Sequence, residues 1–130
     1  MFAMRKRSGG AIESLIGAGT TVQGDLRFKG GLRIDGEVRG SVIAEEGPST
    51  LVLSERGRVQ GTVRATHLLV NGTIEGPVHA EELLELQPKA RVTGEVRYRS
   101  LEMHHGAVIE GGLSHLDSGR PSLKLAASKD

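Results

Sequence analysis

The 130-residue chain has no cysteine, no tryptophan and only three aromatic residues, Phe2, Phe28 and Tyr98. Without thiols there is no disulfide staple, no thiolate nucleophile and no cysteine-based zinc site, a composition that suits the reducing cytoplasm. Few large rings mean that any core is built from Val, Ile and Leu in thin, similar layers. No apolar run approaches the roughly 20 residues that span a bilayer. The stretch AIESLIGAG, residues 11–19, is short and carries Glu13, which makes it a poor signal-peptide core. An excess of one charge is missing too. Lys and Arg total 17 against 16 acidic residues, a net +1, so nucleic acid is not expected as the main partner. There is no glycine-rich phosphate loop with its lysine, and no cofactor is expected.

What the chain does have is glycine, 19 residues of it, set in a repeat. The pattern aliphatic-x-Gly-x-aliphatic reads VQGDL from Val22, VRGSV from Val38, VQGTV from Val59, IEGPV from Ile74, VTGEV from Val92 and IEGGL from Ile109, at steps of 16, 21, 15, 18 and 17. A second pattern, Leu-x-aliphatic, keeps pace with it at Leu32/Ile34, Leu51/Leu53, Leu68/Val70, Leu84/Leu86 and Leu101/Met103.

Within a unit the apolar residues alternate with polar ones. Leu32, Ile34, Val38 and Val42 share one parity; Arg33, Asp35, Glu37, Arg39 and Ser41 share the other. Period two marks half-buried strands. A unit of this length cannot bury its apolar face alone, so the units must stack, their strands pairing in parallel. Six coils at this spacing make a rod of roughly 25–30 Å. Gly24, Gly40, Gly61, Gly76, Gly94 and Gly111 hold equivalent places and are expected to line one corner. AEEGPST, residues 44–50, reads as a loop bulging from a corner, because Gly47 and Pro48 do not continue a ladder. Pro77, inside a repeat copy, is the awkward residue for a regular ladder.

Ile16, Val22, Phe28 and Ile34 lie six residues apart, the step of hexapeptide acyltransferases, but the step fails at Gly40. Long alternating strands with irregular corners suit a right-handed parallel β-helix better. The segment IESLIGAGTTVQGDLRFKGGLRIDGEVRGSV, residues 12–42, and above all GLRIDGEVRG, resembles the opening of a bactofilin, a bacterial polymer-forming cytoskeletal family. The later repeats are similar to its core as far as Leu113. The resemblance implies a right-handed β-helix that polymerises without nucleotide, end to like end, into non-polar filaments beneath the inner membrane, where it scaffolds envelope-shaping and cell-wall proteins. The alternative is an acyltransferase-like left-handed β-helix.

The expected architecture is all-β and single-domain: a flexible tail over residues 1–20, a parallel β-helix of about six coils over 21–114, and a disordered tail over 115–130. Neither end of the repeat carries a convincing polar cap, so strands at both ends are open to pairing with another copy. Val22, Leu26 and Phe28 at one end, and Ile109 and Leu113 at the other, are the candidate polymerisation interface. In the first tail, Met1, Phe2 and Met4 adjoin Arg5, Lys6 and Arg7. Such an apolar tip with basic residues can rest on an anionic leaflet, each base contributing about 1 kcal/mol. This predicts peripheral attachment to inner-membrane lipids from the cytoplasmic side.

No catalytic residue and no metal ligand is assigned. Of the five histidines, His67, His79, His104, His105 and His115, only His79 is placed to be an acyltransferase general base, and its parity faces solvent. His104 and His105 are adjacent and, in a strand, point to opposite faces. Glu45/Glu46 and Glu81/Glu82 read as solvated corners, and Asn71 in NGT as a turn residue. Arg27, Lys29, Arg33 and Arg39 are interrupted by Asp25, Asp35 and Glu37, with no exposed aromatic for base stacking.

Overall fold

A computed structural model of the chain describes residues 12–116, and every regular element among them is a strand. The chain winds coil by coil. The first coil holds β1 (Ser14–Ile16) and β2 (Thr21–Gln23), the second β3 (Leu26–Ile34) and β4 (Glu37–Arg39), the third β5 (Val42–Leu53) and β6 (Arg58–Gln60). The fourth has β7 (Val63–Val70) and β8 (Thr73–Glu75), the fifth β9 (Val78–Leu86) and β10 (Arg91–Thr93), the sixth β11 (Val96–Met103) and β12 (Val108–Glu110), and β13 (Leu113–His115) opens a seventh. Odd-numbered strands form one seven-stranded sheet and even-numbered strands a six-stranded sheet, every pairing parallel. This is the parallel β-solenoid of about six coils that the repeat predicts.

Register turns the alternation into columns. Ile16, Ile34, Leu53, Val70, Leu86 and Met103 stack one above the next, as do Val22, Val38, Val59, Ile74, Val92 and Ile109, and Leu26, Val42, Val63, Val78, Val96 and Leu113. Their inner members make an apolar core of Val, Ile and Leu, each fully buried side chain contributing about 1.5–3 kcal/mol.

The glycine corner forms as expected. A Cβ on Gly61 would stand 2.3 Å from the Gly40 carbonyl oxygen, and one on Gly76 2.3 Å from that of Gly61. Gly61 and Gly76 also have φ of +155° and +152°. Each corner glycine thus lies flat on the one before it. The Gly61 N–H donates to the Glu75 carbonyl at 3.0 Å, continuing the ladder around the bend.

Pro77 is accommodated because the position after each corner glycine serves the ladder only as an acceptor. At that position Ser41, Thr62, Pro77, Glu95 and Gly112 each accept a backbone hydrogen bond from the coil before, the Val63 N–H reaching Pro77 O at 2.9 Å. The N–H of that position is not a ladder donor. Asp25 Oδ1 takes it from Ser41, and Ser41 Oγ from Thr62. Proline's missing N–H therefore costs the ladder nothing.

Two expectations shift in detail. The ladder begins at Ser14, inside the segment 1–20 read as a tail, since β1 pairs with Leu32, Arg33 and Ile34; at the far end it takes in His115, which pairs with Tyr98. The segment 44–50 leaves the register between Ile43 and Thr50 but does so inside β5. Glu45 to Pro48 are exposed while Ser49 is buried. Ser49 Oγ accepts from the Thr66 N–H at 2.9 Å and lies 3.1 Å from Thr66 Oγ1, pinning the base of the excursion. The tail residues 1–11 and 117–130 lie outside the described residues.

Candidate functional site: the two open ends

Each column has two end members, and they differ from the rest. Val38, Val59, Ile74 and Val92 are fully buried, whereas Val22 and Ile109, at the ends of the same column, are only half-buried. Leu26 is half-buried and Leu113 is 51% exposed, while Val42, Val63, Val78 and Val96 between them are buried. The side chains are of one kind throughout. What the end members lack, among the described residues, is a coil above or below.

The strand edges carry the same message. Among the described residues, β1 covers only Leu32 to Ile34 on the N-terminal side, so the Leu26–Phe28 limb of β3 pairs only toward β5. On the C-terminal side, again among the described residues, β13 covers only Val96 to Tyr98, so the limb from Ser100 to Met103 and the whole of β12 pair only toward the fifth coil. Open edges of this sort are templates for a further strand.

Of the five residues named as a candidate interface, four therefore stand at column ends: Val22 and Leu26 at one face, Ile109 and Leu113 at the other. Phe28 belongs to the same terminal limb but is packed into the core at 8% exposed. Sequence reasoning missed Ile16 at the N-terminal face, and Leu101 and Met103 at the C-terminal one; Met103 is 47% exposed. The Leu-x-aliphatic pattern contained the signal, because Leu101/Met103 is its last copy. Met1, Phe2, Met4, Arg5, Lys6 and Arg7 lie outside the described residues. Among the described residues no helix is long and apolar enough to cross a membrane.

The remaining candidates fall on the sides of the rod. His79 stacks in register between Arg64 and Arg97 and lines an open groove of about 840 Å³ with His67, Glu81, Glu82 and Arg99. Burial first, then the Arg64 and Arg97 charges, hold its imidazole below the ordinary 6.5, with Glu81 opposing. Glu81 is bound by Arg64 at 2.9 Å, and Glu82 Oε1 is 3.4 Å from His67 Nε2. Arg33 pairs with Asp35 at 2.9 Å and Arg39 with Glu37 at 3.1 Å, so two of the three interrupting acids pair with two of the four bases. Asn71 occupies a corner with Gly72, its Oδ1 accepting from the Lys89 N–H at 3.0 Å, as a turn residue should. His104 and His105 follow β11 in a corner and are not in a strand, so the opposite-faces argument does not apply to them.

Residues 14–114 match the Bactofilin family, described as polymer-forming cytoskeletal. The chain is 26% identical over 98 residues to bactofilin BacP of Myxococcus xanthus (strain DK1622), a match covering 75% of this chain and 40% of BacP. It is 23% identical over 100 residues to bactofilin BacO of the same strain, covering 77% of each. The chain thus spans less than half the length of BacP. The crystal structure of a point mutant of a bactofilin from Thermus thermophilus aligns with a TM-score of 0.65 at 38% identity, covering 70% of this chain and 98% of that one. The matched span starts at Ser14, where the ladder starts, and ends at Ser114, one residue before the ladder does, so the solenoid and the family domain are one unit. The chain belongs to the bactofilin family.

Proposed function

We propose that this chain is a non-enzymatic scaffold that polymerises without nucleotide by stacking its open end coils on those of further copies. The observation that carries this reading is the pairing of two uncapped strand edges with half-exposed apolar column ends on each terminal coil. Stacking extends both sheets and covers the column ends in one step, by ordinary strand addition. Like-end stacking gives a filament without polarity. The N-terminal segment Met1–Arg7 then ties the polymer to the cytoplasmic face of the inner membrane. One such segment binds weakly, but a row of subunits presents many, and later contacts are effectively intramolecular. The filament offers envelope or cell-wall proteins a linear platform.

Negative-stain electron microscopy of the purified chain without nucleotide tests the assembly. Filaments are expected from the parent and short soluble particles from Leu113→Arg, whose side chain is exposed enough to be replaced without loss of folding. Compact particles of uniform size from the parent would sink the reading. Deleting residues 1–7 is expected to abolish co-sedimentation with anionic liposomes while leaving filaments intact; unchanged co-sedimentation would remove that segment from the account.

A further inference from the structure

Glu85 and Glu102 are register partners on β9 and β11, two carboxylates side by side on the outer face of the fifth and sixth coils. Like charges directly opposite on paired strands are destabilising, and the same column holds no base nearer than Arg33, since Val52 and Leu69 come between. A third group joins them from the corner after β11. His104 Nε2 lies 3.1 Å from Glu85 Oε2, and one donor atom from each of Glu85, Glu102 and His104 lies within 4.8 Å of the other two. Gln87 Nε2 donates to the same Glu85 Oε2 at 2.7 Å and so restrains that carboxylate. Among the described residues, no hydrogen bond or ion pair holds the Glu102 carboxylate.

We propose that Glu85, Glu102 and His104 bind a divalent transition-metal ion that bridges the last two coils at the C-terminal end of the rod. One imidazole and two carboxylates suit Zn²⁺ and its neighbours, whereas Mg²⁺ and Ca²⁺ prefer all-oxygen sites. A tetrahedral ion about 2.1 Å from each donor sets the donors about 3.4 Å apart, close to the existing His104–Glu85 spacing. The exposed Glu102 carboxylate closes the remainder by side-chain rotation. The ion relieves the carboxylate repulsion and joins Glu85 of the fifth coil to Glu102 and His104 of the sixth. It therefore stabilises the coil that lacks full cover above it. The site is intramolecular and does not depend on assembly.

The test is calorimetric titration of the full chain with ZnCl₂, beside Glu102→Gln and His104→Gln, each also made in a Leu113→Arg background so that assembly does not enter. One ion per chain is expected, with affinity at least tenfold weaker in each variant, the range that losing a metal-site partner typically produces. Hydrogen exchange is the second readout. Zn²⁺ should slow exchange severalfold across residues 96–110 in the parent and leave Glu102→Gln unprotected. Equal affinity in all three proteins, no binding up to about 1 mM, or protection that persists in Glu102→Gln would overturn the site.

Discussion

The inner members of the glycine column leave no room for a side chain. Gly61→Ala meets two penalties, a φ of +155° that L-residues rarely adopt and a Cβ 2.3 Å from the Gly40 carbonyl oxygen. Backbone strain of this kind costs about 1–3 kcal/mol on its own, and the contact, being with backbone, adds to it. Urea denaturation of Gly61→Ala should show at least that loss, whereas Gly17→Ala, whose added Cβ meets nothing within 4 Å, should stay near the parent. His79 gives a pH prediction. Its imidazole protonates less readily in the fold than in the unfolded chain, so as pH falls through about 6.5 the unfolded state takes up the proton first and stability drops. The drop continues until the pH passes the lower folded value. Denaturation midpoints at pH 8, 6 and 5 should fall less steeply in His79→Gln than in the parent, and parallel slopes would exclude His79 as a source.

Strands and corners show how much the sequence exposes and where it stops. Parity alone places Leu32, Ile34, Val38 and Val42 inward, and the structure buries all four, because in a parallel ladder the inward choice depends only on period two. Parity does not say which coil is last. Met103 obeys the same rule as Leu86 and is exposed only because no strand pairs above its limb. The uneven repeat steps are visible in the sequence, but their cause lies in the fold. Some coils turn through short corners, Asp35-Gly36 and Asn71-Gly72, while others use Ser54 to Gly57 or Gln87 to Ala90. The approach of His104 to Glu85 was not legible at all, since it depends on how one coil's corner lies over the strand of the coil before. At the excursion, register pairs Phe28 with Ala44 and Gly30 with Ser49, so Glu45 alone suffices where Lys29 stands one coil earlier. Deleting Glu46, Gly47 and Pro48 should therefore leave the thermal midpoint within a few degrees of the parent. Ser49→Ala, which orphans the buried Thr66 N–H, should cost about 1–3 kcal/mol, read by denaturant titration.

Taken as a whole, the described solenoid has one long core and two end faces that carry the same columns as its middle, each partly covered by a three-residue strand. A sequence with so few aromatics can sustain this because each coil needs only its neighbours. The position after the corner glycine adds another property. Asp25, Ser41, Thr62, Pro77, Glu95 and Gly112 succeed one another there: an acid, two hydroxyls, an imino acid, a second acid and a bare backbone. The ladder takes only the carbonyl from these places, while Asp25 Oδ1 and Ser41 Oγ each accept the N–H of the same position one coil on. They form a straight line along the outside of the rod, about 4.8 Å apart. From Thr62 onward such a line can be rewritten by mutation without removing a ladder bond, whereas Asp25 and Ser41 hold the N–H of the next coil. If copies stack as proposed, the same short line of side chains recurs at a fixed interval along the assembly, a surface whose chemistry varies without altering the core columns.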